Sequence, residues 1–199
     1  MNSAELKKAK RAIRRRILAR RDALPQHDRA RLGRRAVDHL LTCPELQAQA
    51  TVFAFWAFGS EVPTAPLLER LHRSGCTVCL PRIEGTDIRP VAYRPDDELR
   101  ETGFGAMEPS AGSVVAERDV DVIVTPAVAF DLDGHRVGYG GGYYDRFFAR
   151  ADDRAFRVGL AFELQVLSDP LPAGNFDLRV DAVATEARVL RFSRAEREG

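Results

Sequence analysis

Along the first 24 positions the apolar residues return at helical spacing. Leu6, Ile13, Ile17 and Leu24 fall on one narrow stripe at 3.6 residues per turn, with charged residues around it. The pattern predicts a helix over 3–24, stopped by Pro25, which disfavours helix in the residue before it. A second helix is expected over 26–41, turning Ala30, Gly33, Val37 and Leu40 inward. The period then changes. Thr51 to Phe58 is bulky and β-prone, with Phe53 and Phe55 predicted on one face of a strand and Trp56 and Phe58 on the other. Beyond a turn at 59–64 come a helix over 65–73, a strand over 76–80 ended by Pro81-Arg82, and a further strand over 87–94. Residues 95–113 hold glycines and prolines without a period and read as a long loop, a length that goes with function or disorder. Apolar runs at 121–125, 156–162, 180–185 and 189–192 complete the strands, with a helix over 143–150 between the first two.

Helices alternating with short apolar strands predict an α/β fold: three layers, a mostly parallel sheet with helices on both faces, preceded by a basic N-terminal helix pair. In 199 residues one domain is expected over 1–199. It comprises the basic helices at 3–41, the α/β body at 50–192 and a polar, frayed tail at 193–199.

Charge changes this picture only locally. The formal net charge is +1, yet positive residues crowd between Lys7 and Arg35. No apolar run is long enough to span a bilayer, and none follows the basic N-terminus as a secretory signal would. Cys43, Cys76 and Cys79 make no disulfide framework. Cys76 and Cys79 stand three apart in a predicted strand, face opposite ways, and are expected as small buried residues rather than a metal or redox pair. The scattered His27, His39, His72 and His135 offer no metal spacing. These features predict a reducing, cytoplasmic setting, and a monomer is expected because no surplus apolar stripe remains.

Candidate chemistry gathers between Thr125 and Arg146, TPAVAFDLDGHRVGYGGGYYDR. Gly138, Gly140, Gly141 and Gly142 leave backbone N–H groups uncovered and permit φ > 0, the means by which a loop wraps phosphate. A helix predicted from Tyr143 adds its own N–H groups and positive dipole end. Arg136 adds a fork of donors, and Asp145, in the first turn, is placed to hold a Mg²⁺ that touches phosphate. A Walker loop is excluded, since Gly142 is followed by Tyr143 and not by Lys-Ser/Thr. A dinucleotide fingerprint is excluded because it needs glycine at Tyr143. The plainer alternative is a flexible glycine turn beside an ordinary acidic helix start. On the first helix, Lys10 and Arg14 stand four apart and border the apolar stripe, where the helix meets the body, with Arg21 between them in angle. Arg11, Arg15 and Arg16 fit a solvated face. For Lys10 and Arg14 two readings stand, site residues or part of a basic surface that touches RNA. Glu61 lies in the turn at the C-terminal end of the first strand, where ligands of α/β sheets collect.

These residues resemble the signature of the 5-formyltetrahydrofolate cyclo-ligase family, also called methenyltetrahydrofolate synthetases. The match runs through Pro126 to Asp131 and Gly134 to Asp145. It extends to Lys10 and Arg14, the Glu61-Val62-Pro63-Thr64 turn, Pro81-Arg82, Glu108-Pro109, Ala161 to Gln165, and Asp177 with Val180-Asp181. The elements come in the family's order from about residue 7 to 185. Val137 stands where leucine is usual, and Phe176 where histidine or asparagine is common.

The resemblance implies an enzyme that uses Mg-ATP to close 5-formyltetrahydrofolate into 5,10-methenyltetrahydrofolate, releasing ADP and phosphate. It implies that Lys10, Arg14 and the loop Arg136, Val137, Gly138, Tyr139, Gly140, Gly141, Gly142, Tyr143 and Tyr144 hold the nucleotide. Lys10, Arg14, Arg136 and Tyr144 would be the catalytic set, and Asp145 and Asp177 would carry Mg²⁺. Trp56, Glu61, Tyr139 and Tyr143 would meet the folate, with Tyr143 and Tyr144 left as alternatives for its face. Neither a nucleic-acid nor a membrane partner is expected on this reading. Two others stay open: a sugar-phosphate isomerase or acyl-CoA transferase on a similar scaffold, needing no ATP, and an RNA-binding protein on a catalytically silent body.

Overall fold

The computed structural model describes residues 2–103 and 105–193; the expected polar tail falls outside them from residue 194 on. Helix α1 (Ser3–Asp22) starts on a capping box. Asn2 accepts the Glu5 N–H and the Glu5 carboxylate accepts the Asn2 N–H, both at 2.9 Å. Helix α2 (Gln26–Leu40) opens directly after Pro25 and buries Gly33, Ala36, Val37 and Leu40. Ala36 replaces the expected Ala30 on the inward face. Helix α3 (Ala65–Arg73) carries a proline in its first turn, where the missing N–H costs nothing.

The central sheet is built from β1 (Thr51–Phe53), β2 (Thr77–Glu84), β3 (Asp87–Ala92), β6 (Val122–Thr125), β9 (Phe156–Leu160), β11 (Ala182–Ala184) and β12 (Val189–Arg191), in the order β12-β11-β9-β6-β1-β2-β3. From β11 to β2 every pairing is parallel; β3 and β12 run antiparallel at the edges. Its two faces bury different sets. Val52, Val78, Val122, Val158 and Ala182 lie under α2 and α3. Phe53, Cys79, Ile123 and Val183 lie under helix α4 (Tyr143–Phe148). The parallel strands with helices on both faces are the expected layers. The chain leaves β1 in one direction to β2 and returns to β6 on its other side, so the order reverses between β1 and β6. Crevices for ligands form at such a switch point, at the carboxyl ends of the strands.

Several boundaries differ from expectation. β1 stops at Phe53 instead of Phe58. Ala54 N–H makes the last ladder bond, to Cys79 O, and then Ala57 N–H and Phe58 N–H are held by Thr64 Oγ1 and Glu61 Oε2. The chain has left the sheet, so Phe53 and Phe55 do not share a face but join different cores. β2 does not end at Pro81-Arg82. It continues to Glu84 beyond the reach of β1, and Pro81 sits opposite Pro90 on the hairpin partner, a pair in which neither residue needs an N–H.

The expected loop over 95–113 contains a ribbon of β4 (Leu99–Glu101) and β5 (Met107–Pro109), tied to β2 by buried Glu108, which accepts the Ile83 N–H at 2.8 Å. A second small sheet joins β7 (Ala129–Asp131), β8 (Arg136–Val137) and β10 (Val166–Leu167). Helix α1 packs on it through Ile17, against Val128, Ala129, Val137 and Leu171. α4 is shorter than the expected 143–150. Cys76 and Cys79 lie in the two opposite cores as expected, and burial pushes the Cys79 thiol up to about 12.

Candidate active site

A cavity of about 880 Å³ opens at the switch point. One wall is α1. Lys10 Nζ donates to Asp177 Oδ2 at 2.5 Å, and Arg14 Nε donates to the Gly138 carbonyl at 2.7 Å. Both side chains turn inward, while Arg11, Arg15 and Arg16 are exposed. One turn beyond Ile17 lies Arg21, buried at 3% exposure. Its Nε donates to Ser60 Oγ at 2.9 Å and its Nη2 to the Tyr139 hydroxyl at 2.8 Å. Sequence reasoning placed Arg21 between Lys10 and Arg14 in angle but gave it no role. Its signal was an arginine four residues from a core isoleucine, at the edge of the apolar stripe where the helix meets the body.

The glycine loop forms the facing wall. Gly140 and Gly142 take φ of +113° and +69°, a region closed to most side chains. The N–H groups of Tyr139, Gly140, Gly141 and Gly142 find no acceptor among the described residues. Tyr139, Gly140 and Gly141 are exposed on the cavity wall, so these donors are open to solvent and free to meet an incoming anion, as in an anion cradle. α4 has six residues, so its dipole contributes less than the predicted longer helix would. The cradle rests on loop amides and cations.

Arg136 is buried at 7% exposure. Its Nη2 donates to Asp145 Oδ1 at 2.7 Å, and its guanidinium lies 4.8 Å over the Phe148 ring. Its Nε has no partner among the described residues. Burial lowers its pKa, and Asp145 opposes that shift.

The other end of the cavity is aromatic. Trp56, Phe55 and Phe58 line it, and Tyr139 reaches across to Glu61, donating from its hydroxyl to Oε1 at 2.7 Å. Glu61 is buried, and that burial pushes its carboxyl up to about 6, against the pull of Tyr139 and the Phe58 N–H. A carboxyl raised in the folded state contributes stability that is complete below pH 4.5 and lost as pH rises through about 6. Glu61→Gln removes that titration. Relative to the wild type, the variant is expected to gain about 2 kcal/mol between pH 4.5 and 7, read from denaturant unfolding at both values. A constant difference across this range would refute the shifted carboxyl.

Thus Lys10, Arg14, Trp56, Glu61, Arg136, Gly138 to Gly142, Tyr143, Tyr144, Asp145 and Asp177 all line one cavity. Val137 does not; its side chain is 1% exposed in the core beneath α1, because it follows Arg136 on β8 and points to the opposite face. Tyr143 and Tyr144 both reach the wall. Tyr144 is the deeper, 6.2 Å from the Phe53 ring, whereas Tyr143 lies under the Arg146 guanidinium at 5.3 Å. Outside the cavity, Asp131, Asp133 and His135 bring oxygen and nitrogen atoms within 4.8 Å. Two of the three are already committed: Asp131 accepts four hydrogen bonds, and His135 Nε2 accepts from Arg179.

The 5-formyltetrahydrofolate cyclo-ligase family matches residues 6–186. The chain belongs to this family. A cyclo-ligase of Escherichia coli K12 is 33% identical over 179 residues, 87% of this chain and 98% of its own. The mouse cyclo-ligase is 26% identical over 199 residues, 94% and 98% of the two chains. Among solved structures, the 5,10-methenyltetrahydrofolate synthetase of Aquifex aeolicus superposes with a TM-score of 0.81 at 35% identity, covering 92% of each chain. The Mycoplasma pneumoniae synthetase shares the fold at TM-score 0.72 and 20% identity. The cyclo-ligase cavity here also has a donor set suited to Mg²⁺, which takes hard oxygen ligands and shares them with phosphate. Asp145 receives its bonds on Oδ1, from Arg136 and the Leu178 N–H. Asp177 receives its bonds on Oδ2, from Lys10 and the Gly174 N–H. Among the described residues each carboxylate keeps its second oxygen for another ligand.

Proposed function

We propose that this chain closes 5-formyltetrahydrofolate into 5,10-methenyltetrahydrofolate using Mg-ATP, with release of ADP and phosphate. The observation that carries the reading is convergence on one cavity. Unpaired loop amides, Lys10, Arg14 and Arg136 meet two carboxylates at one end, and a flat aromatic wall with a buried carboxyl stands at the other. The first set suits phosphates, the second a pterin, with Trp56 as the wall and Glu61 as acceptor for ring N–H groups. No sugar-phosphate isomerase or CoA transferase requires that pairing.

In the proposed reaction the formyl oxygen attacks the γ-phosphorus, and the bond to the ADP oxygen breaks. Nitrogen 10 of the same folate then attacks the formyl carbon. The carbon–oxygen bond breaks toward phosphate, and nitrogen 10 gives up its proton. Both partners of the second step sit in one bound molecule, a proximity gain that needs no enzyme nucleophile. Lys10 and Arg14 offset charge on the transferring phosphoryl group, and Arg136 holds Asp145 in place while facing the same oxygens. Asp145 and Asp177 would hold Mg²⁺, which neutralises β- and γ-phosphate oxygens when bound.

The chain would act as one unit, since α1 supplies Lys10 and Arg14 to a cavity of the α/β body. A reducing cytoplasm suits its three unpaired buried thiols. The test is direct: supply 5-formyltetrahydrofolate, ATP and Mg²⁺, and follow methenyl product absorbance. Product that requires ATP is expected. Absence of product, or equal turnover without ATP, overturns the reading.

A further inference from the structure

The loop that carries Asp177 is fastened at both ends to one hairpin turn. At its start, Leu171 N–H donates to Asp131 Oδ2 at 2.9 Å. At its end, Val180 N–H donates to Gly134 O at 2.9 Å, and Arg179 Nε donates to His135 Nε2 at 3.0 Å. Gly134 and His135 belong to the turn between β7 and β8. Asp131, 1% exposed, organises that turn by accepting the N–H groups of Asp133 and His135 on Oδ1. The His135 imidazole bridges the two parts. A guanidinium that donates to Nε2 requires a lone pair there, so the proton sits on Nδ1 and points at Asp131 Oδ2, 3.1 Å away. This also removes His135 as a metal ligand, because its lone pair is occupied by a cation.

The next residue, Arg136, enters the cavity and holds Asp145. Asp145 also accepts the Leu178 N–H at 3.3 Å. The two neighbouring side chains His135 and Arg136 therefore reference both cavity carboxylates to the same short stretch of backbone, one through the Asp177 loop and one directly.

We propose that His135 is a positioning residue for Asp177: its bridge between Asp131 and Arg179 fixes the Asp177 loop against β8 and so sets the spacing of Asp177 to Asp145. This rests on the reading of those carboxylates as the Mg²⁺ ligands. A partner hydrogen-bonded directly to a metal ligand is typically worth 10- to 100-fold in metal affinity; His135 stands one step further out, so the low end of that range applies. A merely structural histidine on this turn would lower stability without changing metal dependence.

The experiment measures binding, not turnover. Isothermal titration calorimetry reads ADP binding directly, with ADP titrated at a series of fixed Mg²⁺ concentrations and no folate present. His135→Phe keeps the ring volume but neither donates nor accepts. It is expected to raise the half-saturating Mg²⁺ concentration about 10-fold and leave ADP affinity without Mg²⁺ within about twofold. His135→Gln, which can span a donor and an acceptor, is expected to recover most of that loss. Amide exchange at 174–178 should quicken in His135→Phe and return toward wild type in His135→Gln. Arg179→Met breaks the same bridge from the other side and should match His135→Phe; it supplies the result if the phenylalanine variant fails to fold. Asp177→Asn is the reference and should lose most Mg²⁺ dependence. Wild-type Mg²⁺ titrations in His135→Phe or Arg179→Met, beside an impaired Asp177→Asn, overturn the positioning role alone. A wild-type titration in Asp177→Asn overturns it together with the metal assignment.

Discussion

Alanine at Lys10 or Arg14 is expected to cut ATP-dependent ring closure about 10- to 1000-fold, while alanine at Arg11 or Arg15 leaves it nearly unchanged. The four residues share one helix and one charge, so composition does not distinguish them. Position does. Lys10 and Arg14 face the cavity, at Asp177 and at the Gly138 carbonyl, whereas Arg11 and Arg15 are exposed. A basic RNA-contacting surface makes the opposite prediction: all four act alike, each flattening the salt slope of binding by about one unit. Thermal unfolding belongs beside the kinetics, because the inward pair also lays aliphatic stems along the buried stripe. Equal kinetic losses from the two pairs, at equal stability, would remove Lys10 and Arg14 from the site.

Asparagine at Asp145 and at Asp177 should both lower turnover about 100- to 1000-fold, the scale of several kcal/mol for a lost metal ligand. Their effects on stability should part. As a residue in a helical first turn, Asp145 is worth only about 0.3–1 kcal/mol through the dipole. Its ion pair matters more. Asp145 is the carboxylate partner of Arg136, whose side chain is 4% exposed, and removing one member of a buried pair leaves a charge uncompensated. Asp145 is itself a quarter exposed, so a loss near the low end for such pairs, about 3 kcal/mol, is expected. That corresponds to roughly 6–12 °C in Tm for a chain of this size. Asp177→Asn, partnered by a Lys10 that can turn to solvent, should lose far less. Equal melting temperatures would show that Arg136 finds another partner, and near-normal turnover of Asp145→Asn at limiting Mg²⁺ would sink its assignment as a ligand.

Where the chain has a clear period, sequence and structure agree. The stripe of Ile17 and the helix at 65–73 bury one face, and the apolar runs expected at 121–125 and 156–162 hold strands Val122–Thr125 and Phe156–Leu160, buried on both faces. The missed strands of the small sheet share a cause. β7, β8 and β10 have two or three residues each, too few to show alternation, and exist only because tertiary neighbours complete them. Pro81 suggested an ending because a central strand would not tolerate it, but an edge hairpin does. The cavity was legible where chemistry is local, as in the glycines with Asp145. The support behind its wall was not legible, because the partner is remote: Arg21 meets Ser60 and the cavity residue Tyr139, 39 and 118 residues away, and nothing in the spacing announces such contacts.

The contact between Lys10 and Asp177 spans 167 positions, so two distant stretches of the chain meet at the cavity. Closing a flexible loop of that length costs on the order of 4–5 kcal/mol in chain entropy, whereas an ion pair that is still partly solvated returns about 1 kcal/mol or less. The pair cannot draw those stretches together. That task falls to Ile17 and its apolar neighbours under α1, and to the sheet order that brings the Asp177 loop alongside. The site is therefore a consequence of completed folding rather than a nucleus for it. A nascent chain that stops short of Asp177 would hold the cations and the glycine cradle but not the second carboxylate.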